Sequence, residues 1–189
     1  MSTWQGVWFF AIALSLALLE IQIEGPHGWA AKLPTWRWQP AFMKRAGRPV
    51  TGYHLWLTVF MLLLLHLPQG YLGFSWEREA ELMSLFFMLA VFWDFLWFAL
   101  NPHFGLSRFN RQNVWWFRTW LLGLPCDYFV GLLVSAAVYL APAWRGGAAE
   151  RALQWGVFAG SFLLLTASAV GLHALLRPRP VAAAREKVA

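Results

Sequence analysis

Residues 80–100 read AELMSLFFMLAVFWDFLWFAL and contain two charged side chains, Glu81 and Asp94. A helix rises about 1.5 Å per residue, so about 20 residues cross the hydrocarbon core of a bilayer. Apolar character around the whole helix over this length is typical of a transmembrane span. Four further stretches have the same character. The five predicted spans are residues 4–23, 52–72, 80–100, 120–141 and 153–176.

The composition of the chain agrees with a helix bundle embedded in lipid. Of its 189 residues, 59% are apolar and 13% are charged, whereas soluble domains have about half and a quarter. A soluble domain of this length buries only about 70% of the surface that its unfolded chain exposes, so lipid has to cover the remaining apolar surface. The sequence therefore predicts an all-α, polytopic integral membrane protein that forms a single domain over residues 1–189. The 14 Trp residues are available for the membrane interfaces.

The basic residues divide unevenly between the two ends of the predicted bundle. Three belong to the connections after the second and fourth spans: Arg78, Arg145 and Arg151. The other twelve are Lys32, Arg37, Lys44, Arg45, Arg48, Arg108, Arg111, Arg118, Arg177, Arg179, Arg185 and Lys187. Cytoplasmic loops are rich in Lys and Arg, so we expect an external N-terminus and a cytoplasmic C-terminus in the plasma membrane.

The net charge of +6 does not indicate a nucleic-acid partner, because the cations lie in loops and form no stripe with interleaved aromatic residues. The longest connection, residues 25–51, combines Trp with Lys and Arg and is predicted to lie in the membrane interface. Residues 69–76 contain Gly70 and Gly73 after Pro68. This segment can either end the second span or dip back into the membrane.

Ionisable residues gather at the predicted cytoplasmic side, where six of them are candidate metal ligands. An ionisable side chain inside a span is costly and therefore indicates function. Glu20 and Glu24 share a helix face and repel each other at a helix C-terminus, so a cation should offset their charge. The candidate ligands are Glu20, Glu24, His27, His54, Asp94 and His103. Mixed carboxylate and imidazole ligands suit Zn, Fe or Mn.

Two further ionisable residues are candidates for acid or base catalysis beside such a metal: Asp127 and His173. A bound metal activates water as a nucleophile at neutral pH. Arg37, Arg111 and Arg118 are candidate ligands of a lipid headgroup, since a guanidinium binds phosphate or carboxylate with paired hydrogen bonds. The sequence thus favours a metal-dependent enzyme that acts on a lipid or isoprenoid substrate.

Three other functions compete with this hypothesis. The carboxylates could form the relay of a small proton-coupled transporter. Two of His54, His66, His103 and His173 could be the axial ligands of a b-type haem. The chain could also be a structural subunit of a membrane complex. Gly156 and Gly160 in the fifth span permit close helix contact, either inside the bundle or with a second copy or a complex partner.

Overall fold

The computed structural model describes residues 3–41 and 47–176 of the chain. Six helices account for most of these residues: α1 (Thr3–Glu24), α2 (Gly52–Leu65), α3 (Leu67–Leu72), α4 (Trp76–Leu100), α5 (Cys126–Leu140) and α6 (Ala148–Leu176). Two short antiparallel pairs complete the fold, β1 (Arg37–Trp38) with β2 (Val50–Thr51) and β3 (Trp120–Leu121) with β4 (Leu124–Pro125). Lys44, Arg45, Arg177, Arg179, Arg185 and Lys187, with the predicted cytoplasmic tail, lie outside the described residues.

Five helical segments are long and apolar enough to cross a membrane, which confirms that part of the sequence prediction. They are Trp4–Glu24, Gly52–Leu72, Trp76–Leu100, Cys126–Ala143 and Ala148–Leu176. The second segment consists of α2 and α3, which are interrupted at His66, one residue before a helix with proline in its first turn. A proline has no N–H to donate and commonly begins a helix.

The fourth span begins at Cys126, six residues later than the predicted start at residue 120. Trp120 and Leu121 pair with Leu124 and Pro125 in a hairpin, whose two-residue turn has positive φ angles. Such turns join antiparallel strands closely and use Gly readily at one central position. The apolar run is continuous through this hairpin, so hydropathy alone placed the helix start too early. The third and fifth spans begin four and five residues earlier than predicted, at Trp76 and Ala148.

The segment 69–76 contains the end of α3, a turn and the start of α4. Helix α3 ends at Leu72, Gly73 adopts a φ of 76°, and Ser75 occupies the N-cap position of α4. Glu77 and Glu79 follow in the first turn of α4, where the helix macrodipole favours anions. The described chain therefore turns directly from the second span into the third.

Helix α4 lies at the centre of the bundle and packs against α1, α5 and α6. Its buried side chains include Leu85, Leu89 and Leu96. At the contact with α5, the Gly131 position lies so close to Val91 that a Cβ there would be 2.6 Å from Cγ2. Gly156 and Gly160 of α6, in contrast, are exposed and would place a Cβ in open space. These two glycines thus take no part in helix packing within the described chain.

One end of the bundle carries most of the irregular structure. The C-terminal ends of α1 and α4 meet the N-terminal ends of α2 and α5 there, and segments 25–51 and 101–125 connect them. Trp97, Phe98, Phe104 and Trp116 pack together in this region, with Phe98 and Trp116 stacked at a centroid distance of 5.7 Å. We call this the loop-rich end, and the end where α3 joins α4 and α5 leads to α6 the turn end.

Candidate metal centre

Two buried glutamates lie on the inner face of α1, where that helix ends. The Gly25–Pro26 pair predicts a helix stop at residue 24, and α1 does end at Glu24, with Gly25 at a φ of 58°. Residues four apart share a helix face. Glu20 and Glu24 are accordingly both buried, with exposed fractions of 8% and 7%.

His54 reaches these carboxylates from the first turn of α2. Thr51 is the N-cap residue, and its hydroxyl oxygen accepts a hydrogen bond from the backbone N–H of His54. The same hydroxyl lies 2.7 Å from His54 Nδ1. This contact orients the ring so that Nε2 faces the glutamates, at 3.7 Å from Glu24 Oε1 and 3.9 Å from Glu20 Oε1.

The geometry of these three side chains is close to that of a metal site. One ligand atom from each of Glu20, Glu24 and His54 lies within 4.8 Å of the other two. Ligand bonds of about 2.1 Å in a tetrahedral site place the ligand atoms about 3.4 Å apart, so the observed 3.7 Å and 3.9 Å need only small side-chain adjustments. The Thr51 contact to Nδ1 is the kind of outer interaction that fixes a metal-binding histidine.

The connection after α1 packs against this group. Trp29 and Ala30 have positive φ angles of 57° and 50°, and the backbone N–H of Ala30 donates a hydrogen bond to Glu24 Oε1. The indole of Trp29 stacks on the His54 ring at a centroid distance of 4.4 Å. Its N–H donates to the Pro49 carbonyl at 2.8 Å. Trp29 and Ala30 are thus folded onto the glutamate and histidine side chains.

Arg48 links Trp29 to α5. Its guanidinium lies 4.5 Å from the ring centroid of Trp29 and 5.1 Å from that of Phe117, distances typical of cation–π contacts. It also donates a hydrogen bond to Asp127 at 3.0 Å. The sequence predicts only that Arg48 lies at the basic side of the bundle, since nothing in the local pattern indicates a partner 79 residues away.

Asp94 lies beside the group without being a member of it. The hydroxyl of Tyr128 donates a hydrogen bond to Asp94 Oδ2, and Asp94 is in electrostatic range of both Glu20 and Glu24. The Tyr53 hydroxyl and the Trp93 indole N–H are close to Glu20. Both donor atoms are buried, and both interact favourably with the Glu20 carboxylate.

Several predicted site residues lie apart from the three side chains. His27 and His103 are exposed, and neither contributes to the group found among the described residues. Asp127 was expected about two turns inside the fourth span, but it is the second residue of α5, and its side chain is 49% exposed and paired with Arg48. His173 lies near the end of α6, and its Nε2 atom is buried without a hydrogen-bond partner.

The three arginines predicted to bind a lipid headgroup differ in their surroundings. Arg37 donates hydrogen bonds to the backbone carbonyls of Ala30, Ala31, Leu33 and Thr35, so its guanidinium holds the 25–51 connection in shape. Arg111 is exposed. Arg118 is also exposed and lies next to Gly47, where a Cβ would be 2.4 Å from its Nε atom.

The histidines also restrict the haem hypothesis. His54 begins the second span and His66 lies twelve residues further along, which corresponds to a rise of about 18 Å along the helix. His66 is bonded to Glu79 at the turn end. These two histidines therefore cannot be the axial ligands of one haem.

Comparison with known proteins finds no matching protein family, no similar curated protein and no similar solved structure.

Proposed function

We propose that this chain is a multi-pass membrane protein that binds one divalent metal ion through Glu20, Glu24 and His54 and uses it as an enzyme on a lipid or isoprenoid substrate. The observation that carries the proposal is the approach of three ligand atoms from α1 and α2 to within 4.8 Å of one another. In the proposed orientation the loop-rich end faces the cytoplasm.

The electrostatics of the group support a bound cation. The two carboxylates are buried, repel each other and lie at a helix C-terminus, where the macrodipole adds about 0.3 to 1 kcal/mol of unfavourable energy for each. Among the described residues, the ion-pair contacts of these carboxylates are to His54. A buried charge without compensation is strongly destabilising. A divalent ion would neutralise both carboxylates at once.

The kind of site supports an enzyme over a purely structural metal. Three protein ligands with one position left for water or substrate is the usual arrangement of catalytic zinc, whereas structural zinc has four protein ligands. When bound, such an ion polarises a carbonyl or phosphoryl oxygen or activates a water molecule. The Trp29 indole and the Ala30 backbone would then exclude bulk water from one side of the ion.

The outer surface supports a membrane location. Large apolar side chains are exposed on the outside of the bundle, among them Trp56, Phe60, Leu63, Leu133, Leu163 and Leu164. Exposed apolar surface on this scale is unfavourable in water and favourable in lipid. Among the described basic residues, Lys32, Arg37, Arg48, Arg108, Arg111 and Arg118 belong to the loop-rich end, which is the reason for assigning that end to the cytoplasm.

Elemental analysis of the full chain, purified in a non-ionic detergent, tests the metal site. We expect about one Zn, Fe or Mn per chain in the wild type and a large loss in Glu24→Gln. His66→Gln is the matched control, because it changes a histidine at the turn end and should leave the metal content unchanged. Absence of metal from the wild type after growth with each of the three ions, or equal content in Glu24→Gln, would refute the proposal.

A further inference from the structure

A cavity lined by charged and apolar residues lies next to the candidate metal centre, between α4 and α5. Its volume is about 200 Å³, and its polar lining consists of Arg48, Asp94, Asp127 and Tyr128. The remaining wall is apolar and includes Phe87, Ala90 and Val91 of α4. The cavity therefore combines a charged part near the loop-rich end with an apolar part that extends along the helices.

The charges around this cavity do not balance. Arg48 is bonded to Asp127 at 3.0 Å, so these two side chains compensate each other. Asp94 receives the hydroxyl hydrogen bond of Tyr128, which is neutral. Two carboxylates and one guanidinium give the lining a formal charge of one negative. An occupant with a single positive charge and hydrogen-bond donors would complement it.

We propose that this cavity binds the primary ammonium head of a membrane amphiphile, with the ammonium group against Asp94 and the hydrocarbon chain along Phe87, Ala90 and Val91. The net charge of the cavity lining decides which kind of head group it binds. An anionic head would add to the existing negative charge, and an alcohol would leave the net negative charge of the lining unchanged. The volume of the cavity suits a small head, and the apolar wall lies between helices that are long enough to cross a membrane.

The position of the cavity makes this amphiphile a candidate substrate, and that part of the inference rests on the proposed function. Asp94 faces the cavity and is also in electrostatic range of Glu20 and Glu24. With a divalent ion on the two glutamates, Asp94 is a carboxylate in electrostatic range of the metal ligands that also lines the cavity. An ammonium head held by Asp94 would lie next to the metal.

Equilibrium binding of radiolabelled dodecylamine to the full chain in maltoside detergent tests the proposal. Dodecanol and dodecanoic acid, which have chains of the same length, serve as competitors. We expect saturable binding of about one amine per chain and weaker competition by the alcohol and the acid. Asp94→Asn should weaken amine binding about tenfold or more, as expected for loss of a charge-assisted hydrogen bond. Glu77→Gln makes the same charge change at the exposed turn end and should have no effect.

Ala90→Phe provides a second variant that fills the cavity without changing a charge, and it decides the outcome where Asp94→Asn does not fold. Retention of wild-type amine binding in Ala90→Phe, equal binding of the alcohol, or purely non-saturable uptake would overturn the proposal. Metal content, measured on the same samples, separates the two proposals. Metal retained without amine binding contradicts only the amphiphile site, whereas amine binding without metal contradicts only the proposed function.

Discussion

The two ends of the bundle contain the same residue types in opposite circumstances. At the turn end, His66 Nε2 lies 3.1 Å from Glu79 Oε1, and the Gln69 side chain donates to the other carboxylate oxygen of Glu79. Both side chains of this pair are about one-quarter exposed. At the loop-rich end, His54 contacts two glutamates that are both nearly fully buried. The turn-end pair has one carboxylate for its histidine, whereas the group at the loop-rich end has two carboxylates for one histidine.

This difference shows that residue type and spacing do not identify a metal site by themselves. A histidine and a glutamate in a satisfied, partly exposed pair contribute little net energy. A bound cation would stabilise the same residue types far more in a buried group with two carboxylates.

We expect the largest difference between the two ends in chemical labelling, which reports which end faces the cytoplasm. In a Cys126→Ser background, single cysteines at His27 and Tyr71 occupy exposed positions at opposite ends of the bundle. We expect a membrane-impermeant maleimide applied to intact cells to label the Tyr71→Cys variant and leave His27→Cys unlabelled until the membrane is opened. The reverse pattern would invert the orientation, and equal labelling of both would contradict a spanning bundle.

Removal of the metal should destabilise the wild-type protein more than any single substitution at the turn end. A ligand present at a thousandfold excess over its Kd contributes about 4 kcal/mol, or about 10 °C in Tm for a chain of this size. We therefore expect a chelator to lower the Tm of the wild type and of His66→Gln by similar amounts. The chelator should change the Tm of Glu24→Gln little, since that variant has already lost the ion. An equal drop in all three would mean that the chelator acts elsewhere.

Trp29 should influence the metal site through His54. Trp29→Ala removes the ring stacked on the imidazole, and loss of an outer support of a metal ligand typically lowers metal affinity about 10-fold or more. Trp29→Phe keeps a stacking ring and loses only the hydrogen bond to Pro49, so it should retain most of the affinity. Metal titration of the two variants measures the difference. Wild-type affinity in Trp29→Ala, even with a lower Tm, would limit Trp29 to a structural role.

The Arg48–Asp127 pair should have a smaller effect on stability. The side chains are 24% and 49% exposed, and pairs of this kind contribute about 0 to 1 kcal/mol, to which the contacts with Trp29 and Phe117 add about as much again. Arg48→Met should therefore lower the Tm by several degrees, and Asp127→Asn by less. A double-mutant cycle on the Tm separates the ion pair from the aromatic contacts. Identical effects of the two single variants would assign the whole contribution to the ion pair.

The parts of the fold that local physics determines could be predicted from the sequence, and the parts that depend on distant partners could not. Apolar runs predict five helices, and the Gly25–Pro26 pair predicts the end of α1 at Glu24. The hairpin at Trp120 is as apolar as the helix that follows it, so hydropathy cannot separate the two. Arg48 and Asp127 look like separate charges in the sequence, because a contact between residues 79 apart depends on the whole fold.

At the candidate site, too, the locally determined features could be predicted from the sequence and those that depend on the fold could not. Helical periodicity placed Glu20 and Glu24 on one face, and their shared burial follows from it. His54 contacts the two glutamates and His27 does not, because of the turn after α1. In that turn the Ala30 backbone N–H bonds Glu24, while His27 remains exposed. Both histidines were candidates from the sequence, because the positive φ angles at Trp29 and Ala30 that direct this turn cannot be predicted from residue types that rarely adopt them.

The smallest expected effect is at the turn end, where His66→Gln tests the other half of the comparison. The histidine bonds the Leu62 carbonyl at 2.6 Å and Glu79 at 3.1 Å through its two ring nitrogens. Both N–H donors of a glutamine amide are on one nitrogen, so we expect glutamine to replace only one of these contacts. Because the partners are partly exposed and Gln69 still bonds Glu79, the loss should be about 1 kcal/mol or less, or about 2 to 4 °C in Tm at most. Thermal unfolding in detergent, with Glu24→Gln measured beside it, gives the ratio of the two effects. A drop in His66→Gln as large as in Glu24→Gln, with the same metal content as the wild type in both, would show that Glu20, Glu24 and His54 are not metal ligands and form an ordinary polar contact like the one at the turn end.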